Sequence, residues 1–312
     1  MRRAGLHVAA GAGLLVAVVL AAAGVGDRPG ALSDWQALVL GLVQGFTELL
    51  PISSSGHLIL VPWLADWRYL EAHPDFNKTF DVALHLGTLV AVVVYFRADI
   101  VRLIGAWLRS VRHRRVRTAD ERVSWFVAVA TVPAAIAGAA GEDFIEDRLG
   151  EPWQIAVFLA VFGAVLWLAD RVPEERRLSG LTLGSAFAVG VAQAIALAPG
   201  VSRSGITITA GRALGLDRDS AARFSFLLLV PVVFGAVVLK GIKDVALGTL
   251  PPGAFGPFVV GTLAAAASGL VAIAALLGYV RRHDYSVFVV YRIVVAVFVL
   301  VLIAAGVREA AF

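Results

Sequence analysis

The sequence contains no cysteine, which excludes disulfides and thiolate-bound metals from the outset. It is also poor in charge. Only 16% of its 312 residues are charged, against 59% hydrophobic, and the mean hydropathy is +0.82. A soluble domain needs far more charge to cover its surface, so the composition excludes that class and points to an integral membrane protein. Lysine is scarce too, since 24 of the 27 basic residues are arginine. These arginines cluster between apolar runs, which fits cytoplasmic loops and argues against nucleic acid as a partner.

The sequence does contain a series of apolar runs long enough to cross a bilayer, at about 80–96, 123–141, 153–170, 220–241, 257–280 and 287–306. Eight arginines between 97 and 122 (Arg97, Arg102, Arg109, Arg112, Arg114, Arg115, Arg117 and Arg122) fix that loop as cytoplasmic. Its Arg112–Arg117 run, with His113, reads as a solvated stretch attracted to anionic lipids. Alternating from there, 171–180, 211–223 and 281–284 fall inside, while 142–152 and 242–256 fall outside. Residues 1–30, with Arg2 and Arg3 ahead of an apolar run from Val8 to Val25, read as a signal-like segment or an extra N-terminal transmembrane helix. Either reading places residue 31 outside. The remainder, 31–312, reads as a single membrane domain.

Two further apolar segments, 35–61 and 181–209, are broken midway by Pro, Gly and Ser, and a full crossing by either would put the later loop charges on the wrong side. Both are therefore expected to be re-entrant hairpins, with their non-helical backbone buried in protein or lining a wet cavity. Their polar islands, QGFTELLPISSSGH at 44–57 and QAIALAPGVSRSG at 193–205, match each other. Gln44, Ser53, Ser55 and Gly56 correspond to Gln193, Ser202, Ser204 and Gly205 at a constant offset of 149. Each island precedes three spans, and the two hairpins start on opposite sides. That is the pattern of an inverted-topology repeat with halves at about 31–175 and 176–312. The expected fold is all-α and polytopic, with six transmembrane helices and two re-entrant hairpins.

Gln44 and Glu48 are four apart and share a helical face. The helix should stop at Pro51, because the residue before proline is biased away from helical geometry. Ser53, Ser54, Ser55, Gly56 and His57 then make a turn rich in hydroxyls and backbone N–H groups, able to cradle an anionic oxygen. Serine near histidine is also the minimal pairing for an activated oxygen nucleophile. The second island supplies Arg203 between Ser202 and Ser204, after Pro199 and Gly200, and its forked donors suit a phosphate. Together these residues point to phosphoryl-transfer chemistry. Thr207 and Thr209 extend the motif. Asp81 and His85 are placed to line the cavity or sit at the membrane interface. Arg292 reads as functional or as snorkelling towards the cytoplasmic face, and 170–177 as a short charged loop.

The stretch LVQGFTELLPISSSGHLIL resembles the first signature of the undecaprenyl-diphosphate phosphatase family, the bacitracin-resistance phosphatases. APGVSRSGITITAGRALGLDR is similar to the second signature, and FDVALHLGTLVAVVVYF to the first full span. The resemblance covers about 31–306. It implies a bacterial inner-membrane enzyme, with its site open to the outer face, that hydrolyses a C55 polyprenyl diphosphate to the monophosphate with help from a divalent cation, Mg2+ or Ca2+. It further implies lipid-carrier recycling for cell-wall synthesis and bacitracin resistance. By position, Glu48 falls on the second acidic residue, Ser54 and His57 on the proposed nucleophile and its partner, and Arg203 on the phosphate-binding arginine. Gln44 stands where many members have Glu, leaving Glu48 as the single carboxylate for a metal. Gln44, Ser53, Ser55, Gly56, Gln193, Gly200, Ser202, Ser204 and Thr207 are the supporting residues.

Two chemical routes stay open: attack by Ser54 with His57 as base, or activation of water by Glu48 or a cation. The expected partners are the polyprenyl lipid and the bilayer, with a homodimer compatible. A secondary transporter or lipid flippase on the same repeat is the alternative. An intramembrane peptide hydrolase has no need of Arg203. A type 2 phosphatidic acid phosphatase should have a His soon after Ser202-Arg203, and none occurs before His283.

Overall fold

The structure, a computed structural model, describes residues 31–241 and 255–310. The N-terminal segment expected over 1–30 and most of the outer loop expected over 242–256 lie outside the described residues. Among the described residues the regular structure is all helical, apart from one isolated bridge between Arg176 and Leu216.

The helices are α1 (Asp34–Leu49), α2 (Ser54–Ala65), α3 (Arg68–Ala72), α4 (Pro74–Tyr95), α5 (Arg97–His113), α6 (Ala119–Arg148) and α7 (Pro152–Ala169). After a short 3-10 turn follow α8 (Leu183–Ile195), α9 (Arg203–Ala213), α10 (Arg218–Ala236), α11 (Phe255–Val280) and α12 (Ser286–Ala304). Six of these provide stretches long and apolar enough to cross a membrane: Pro74–Tyr95, Ala119–Gly141, Pro152–Ala169, Arg218–Leu239, Phe255–Val280 and Ser286–Ala304. They coincide with the six runs expected from the sequence.

The two broken segments are helix pairs, α1/α2 and α8/α9. At 16, 12, 13 and 11 residues, none of the four is long enough for a hydrocarbon core of about 30 Å. α1 ends at Leu49, two residues before Pro51, as the proline requires. Both second helices begin in the same way. Ser53 at φ 76° caps α2 by accepting from Gly56 N, and Ser202 at φ 77° caps α9 by accepting from Gly205 N. Packing repeats this correspondence. α1 lies against α11, where Gly41 allows close approach to Gly261 and Ala264, and α8 lies against α6, where Gly190 faces the Ala130 backbone. Thus each hairpin's first helix packs on a span from the other half, an arrangement compatible with the expected re-entrant inverted repeat.

Two expectations change and a third gains detail. Part of the cytoplasmic stretch 97–122 is a 17-residue helix, α5, because Leu103, Ala106 and Ser110 form an inward stripe and Trp125 Nε1 donates to Ser110 Oγ at 2.9 Å. The segment at 170–177 is the short charged loop expected, and its first residue anchors it. Buried Asp170 accepts from Arg212 at 2.9 Å, Arg218 at 2.8 Å and Tyr285 N at 3.0 Å, tying α7, α9, α10 and α12 together at one end. Arg292 does not snorkel. It is fully buried and packs against Gly163 of α7.

Candidate active site

The breaks of the two hairpins meet. Ser53 Oγ, buried beneath α2, accepts from Gly200 N of the second break at 3.1 Å. In return, Ser204 Oγ donates to the Leu50 carbonyl of the first break at 2.9 Å. Gly200 has φ +98°, and a Cβ there would press on the Ile155 carbonyl, so only glycine suits the position. Gly56 likewise lies against Gly200 Cα. With these contacts, α2 and α9 bring their N-termini to one place, where the positive ends of both helix dipoles favour an anion.

Beneath both breaks sits Arg292 of α12. Its Nε donates to Leu159 O at 2.9 Å and its terminal nitrogens to Pro51 O, Phe158 O, Gly200 O and Val201 O at 3.0–3.3 Å. Among the described residues no carboxylate pairs with it, so it adds an uncompensated positive charge to the floor of the site. The tyrosine before it, Tyr291, reaches His57 Nε2 with its hydroxyl at 2.8 Å.

Glu48, on the last turn of α1, is the centre of the polar cluster and only 5% exposed. Arg203, the first residue of α9, donates to its Oε1 at 2.6 Å. Ser54, the first residue of α2, donates its hydroxyl to Oε2. Gln44 Nε2 approaches the same oxygen at 3.5 Å and His85 Nε2, from α4, at 3.6 Å. Arg203 also donates to Ser225 O at 3.3 Å, and Thr207 bridges Arg203 O and Ser225 Oγ at 2.8 Å each. Carboxylate, hydroxyl and guanidinium therefore share one point, although Glu48 and Arg203 are 155 residues apart.

His57 is oriented differently from the sequence-level pairing. Its Nδ1–H donates to Ser53 O at 2.6 Å, which leaves Nε2 to accept from Tyr291, so both nitrogens are engaged away from Ser54. The oxygen that faces the Ser54 hydroxyl belongs to Glu48 instead. Ser202 and Ser204 lie within 3.2 Å of each other at the second break. Thr209, beyond them on α9, bonds back to Gly205 O. Gln193 is not brought to the cluster: it is buried on α8 and donates to Ala130 O of α6 at 3.3 Å. Ser55 is half-buried on the first turn of α2. Tyr291 and Ser225 were not anticipated. Tyr291 was visible only as the neighbour of an intramembrane arginine, and Ser225 carries no signal in an apolar span.

The residues present suit a divalent cation. Glu48 offers a carboxylate oxygen, His85 a ring nitrogen, and Gln44 a fully buried amide oxygen with no donor. No cluster of three or more His, Asp or Glu occurs among the described residues, so a carboxylate-only cage is excluded for them.

Residues 37–298 match the family described as bacitracin resistance protein BacA. An undecaprenyl-diphosphatase of Moorella thermoacetica is 48% identical over 262 residues, covering 84% of this chain and 94% of its relative. One from Desulforudis audaxviator is 44% identical over 273 residues (87% and 98%), and one from Geobacter sulfurreducens 47% over 259 (82% and 93%). The chain belongs to the bacitracin resistance protein BacA family.

Proposed function

We propose that the chain is a membrane phosphatase that hydrolyses undecaprenyl diphosphate to undecaprenyl phosphate and inorganic phosphate, recycling a lipid carrier of cell-wall synthesis and conferring bacitracin resistance. The observation that carries the reading is the meeting of Glu48, Ser54 and Arg203 at the junction of two helix N-termini. Such a junction neutralises a diphosphate and sets a hydroxyl and its base beside it.

In the mechanism these contacts support, Arg203 shifts from Glu48 to the equatorial oxygens of the terminal phosphate. Ser54 Oγ attacks that phosphorus while Glu48 takes its proton. The bond to the bridging oxygen breaks, and the polyprenyl monophosphate departs with the electron pair. Glu48 passes that proton to solvent and, ionised again, deprotonates a water that attacks the phosphoserine; the bond between Ser54 Oγ and phosphorus breaks, Ser54 Oγ takes the second proton from Glu48, and inorganic phosphate leaves. A divalent cation held by Glu48, His85 and Gln44 would supply further charge neutralisation to the diphosphate. His57 holds the turn, since its bond to Ser53 O fixes the residue whose φ of 76° reverses the chain towards Glu48.

The arginine-rich α5 region supports placing that end of the molecule in the cytoplasm of a bacterial inner membrane, with the site opening to the outer face. Acid-quenched turnover of a polyprenyl diphosphate labelled in its terminal phosphate tests the chemistry. Label on Ser54, absent in Ser54→Ala together with phosphate release, is the expected result. Undiminished release by Ser54→Ala would transfer the attack to water activated by Glu48. A folded protein that releases no phosphate would fit a transporter instead.

A further inference from the structure

We propose that His85 is a cation ligand in this chain, supplying the donor that a second carboxylate would otherwise provide; the inference deepens the phosphatase reading and rests on it. His85 Nδ1 lies 2.7 Å from the Asp81 carbonyl one turn back on α4. A carbonyl only accepts, so Nδ1 carries the hydrogen and, in the neutral ring, Nε2 presents a lone pair. Nε2 faces Glu48 Oε2 at 3.6 Å, and an ion seated between that nitrogen and the carboxylate oxygen would bridge them.

The spacing suits a metal ion. Two ligand atoms each about 2.1 Å from a tetrahedral ion stand about 3.4 Å apart. A direct charged hydrogen bond would be shorter, at about 2.7–2.9 Å. A second, independent observation comes from α1. Gln44 lies one turn before Glu48, is fully buried, and has an amide oxygen with no donor. An orphaned buried acceptor beside a carboxylate is unfavourable unless a cation or donor arrives. Rotating that amide about its last bond brings its oxygen to the place now held by Nε2, 3.5 Å from Glu48 Oε2.

Access and charge agree with this assignment. His85 is 31% exposed, so the ring edge is open to the cavity while Glu48 is buried. Arg203 occupies the other carboxylate oxygen, Oε1, leaving Oε2 for the ion beside the Ser54 hydroxyl. The net charge then awaits an incoming diphosphate, which completes the coordination with its own oxygens. An imidazole in the set moves preference away from Ca2+ and Mg2+, which favour oxygen alone, towards ions that accept nitrogen, such as Zn2+.

The test uses the full chain in nanodiscs with Mn2+ as the probe. Pulsed electron paramagnetic resonance should detect coupling of bound Mn2+ to an imidazole nitrogen in wild type. His85→Gln should lose that coupling and bind Mn2+ roughly ten-fold or more weakly. His85→Asp should restore binding without nitrogen coupling, which separates a lost ligand from a misfolded protein. Bound Mn2+ without nitrogen coupling in wild type, wild-type affinity in His85→Gln, or no binding by folded wild type would each overturn the assignment. Phosphate release from the same samples keeps the two ideas apart. Cation-dependent release without nitrogen coupling removes His85 and leaves the phosphatase; nitrogen-coupled Mn2+ without release does the reverse.

Discussion

Replacing Arg292 should damage this protein more than replacing any residue that touches phosphate, and the reason can be worked from its bonds. The side chain donates to five carbonyls. Two of them, Phe158 O and Leu159 O, belong to the α7 ladder and keep a helical donor. The other three, Pro51 O, Gly200 O and Val201 O, lie in the two breaks, where no ladder supplies one. In Arg292→Met these three are buried without partners, at about 1–3 kcal/mol each, or about 3–9 kcal/mol in sum. For a chain of this size that corresponds to a fall of about 5–14 °C in Tm. Lysine keeps the charge and has three donors, but it lacks the fork that spans both breaks, so Arg292→Lys should fall between Met and wild type. Thermal unfolding followed by tryptophan fluorescence in nanodiscs gives the three values. An Arg292→Met protein with Tm within about 2 °C of wild type would refute the reasoning, because the breaks would then be held by something else.

Other perturbations have equally definite outcomes. Ser53→Ala removes the bond to Gly200 N and the cap on α2 while leaving Glu48, Ser54 and Arg203 in place; phosphate release should fall, with a stability loss of about 1–3 kcal/mol measured by thermal unfolding. Gly190→Ala would set a Cβ 2.8 Å from Ala130 Cα, forcing α8 and α6 apart, so Tm should drop by the equivalent of about 1–3 kcal/mol. Glu48→Gln keeps the shape of the site but removes the base and the partner of Arg203; steady-state phosphate release should fall by roughly 10²-fold or more.

The sequence carried the outline of this molecule because polar residues stand out against an apolar background. The six spans follow from run length, and the two short-helix pairs from Pro51, Pro199 and the serines around them. Glu48, Ser54 and Arg203 were identifiable as costly residues in such surroundings, and they do converge. Their pairing was harder to read. Proximity in the chain linked Ser54 to His57, but the reversal at Ser53 turns Ser54 back onto Glu48. One turn further along α2, His57 points to Tyr291, a partner 234 residues away that local spacing cannot reveal. For Arg292 the sequence leaves a functional role and snorkelling open, because the residue lies near the start of α12. Gly163 on the facing helix, which packs against it, is an ordinary glycine until the two helices are packed. Asp170 was hidden for a similar reason, since its partners Arg212 and Arg218 belong to another part of the chain. In α5 the inward stripe was present all along, but eight nearby arginines dominated its appearance.

One site assembled from two hairpins is proposed to release phosphate from a polyprenyl diphosphate. The most direct test is inorganic phosphate release from the C55 diphosphate by purified wild type and Arg203→Ala in proteoliposomes, with cation added or chelated. Cation-dependent release by wild type, lowered by roughly 10²-fold or more in a folded Arg203→Ala protein, is the predicted result. No release from folded wild type, or wild-type rates without the arginine, would contradict it.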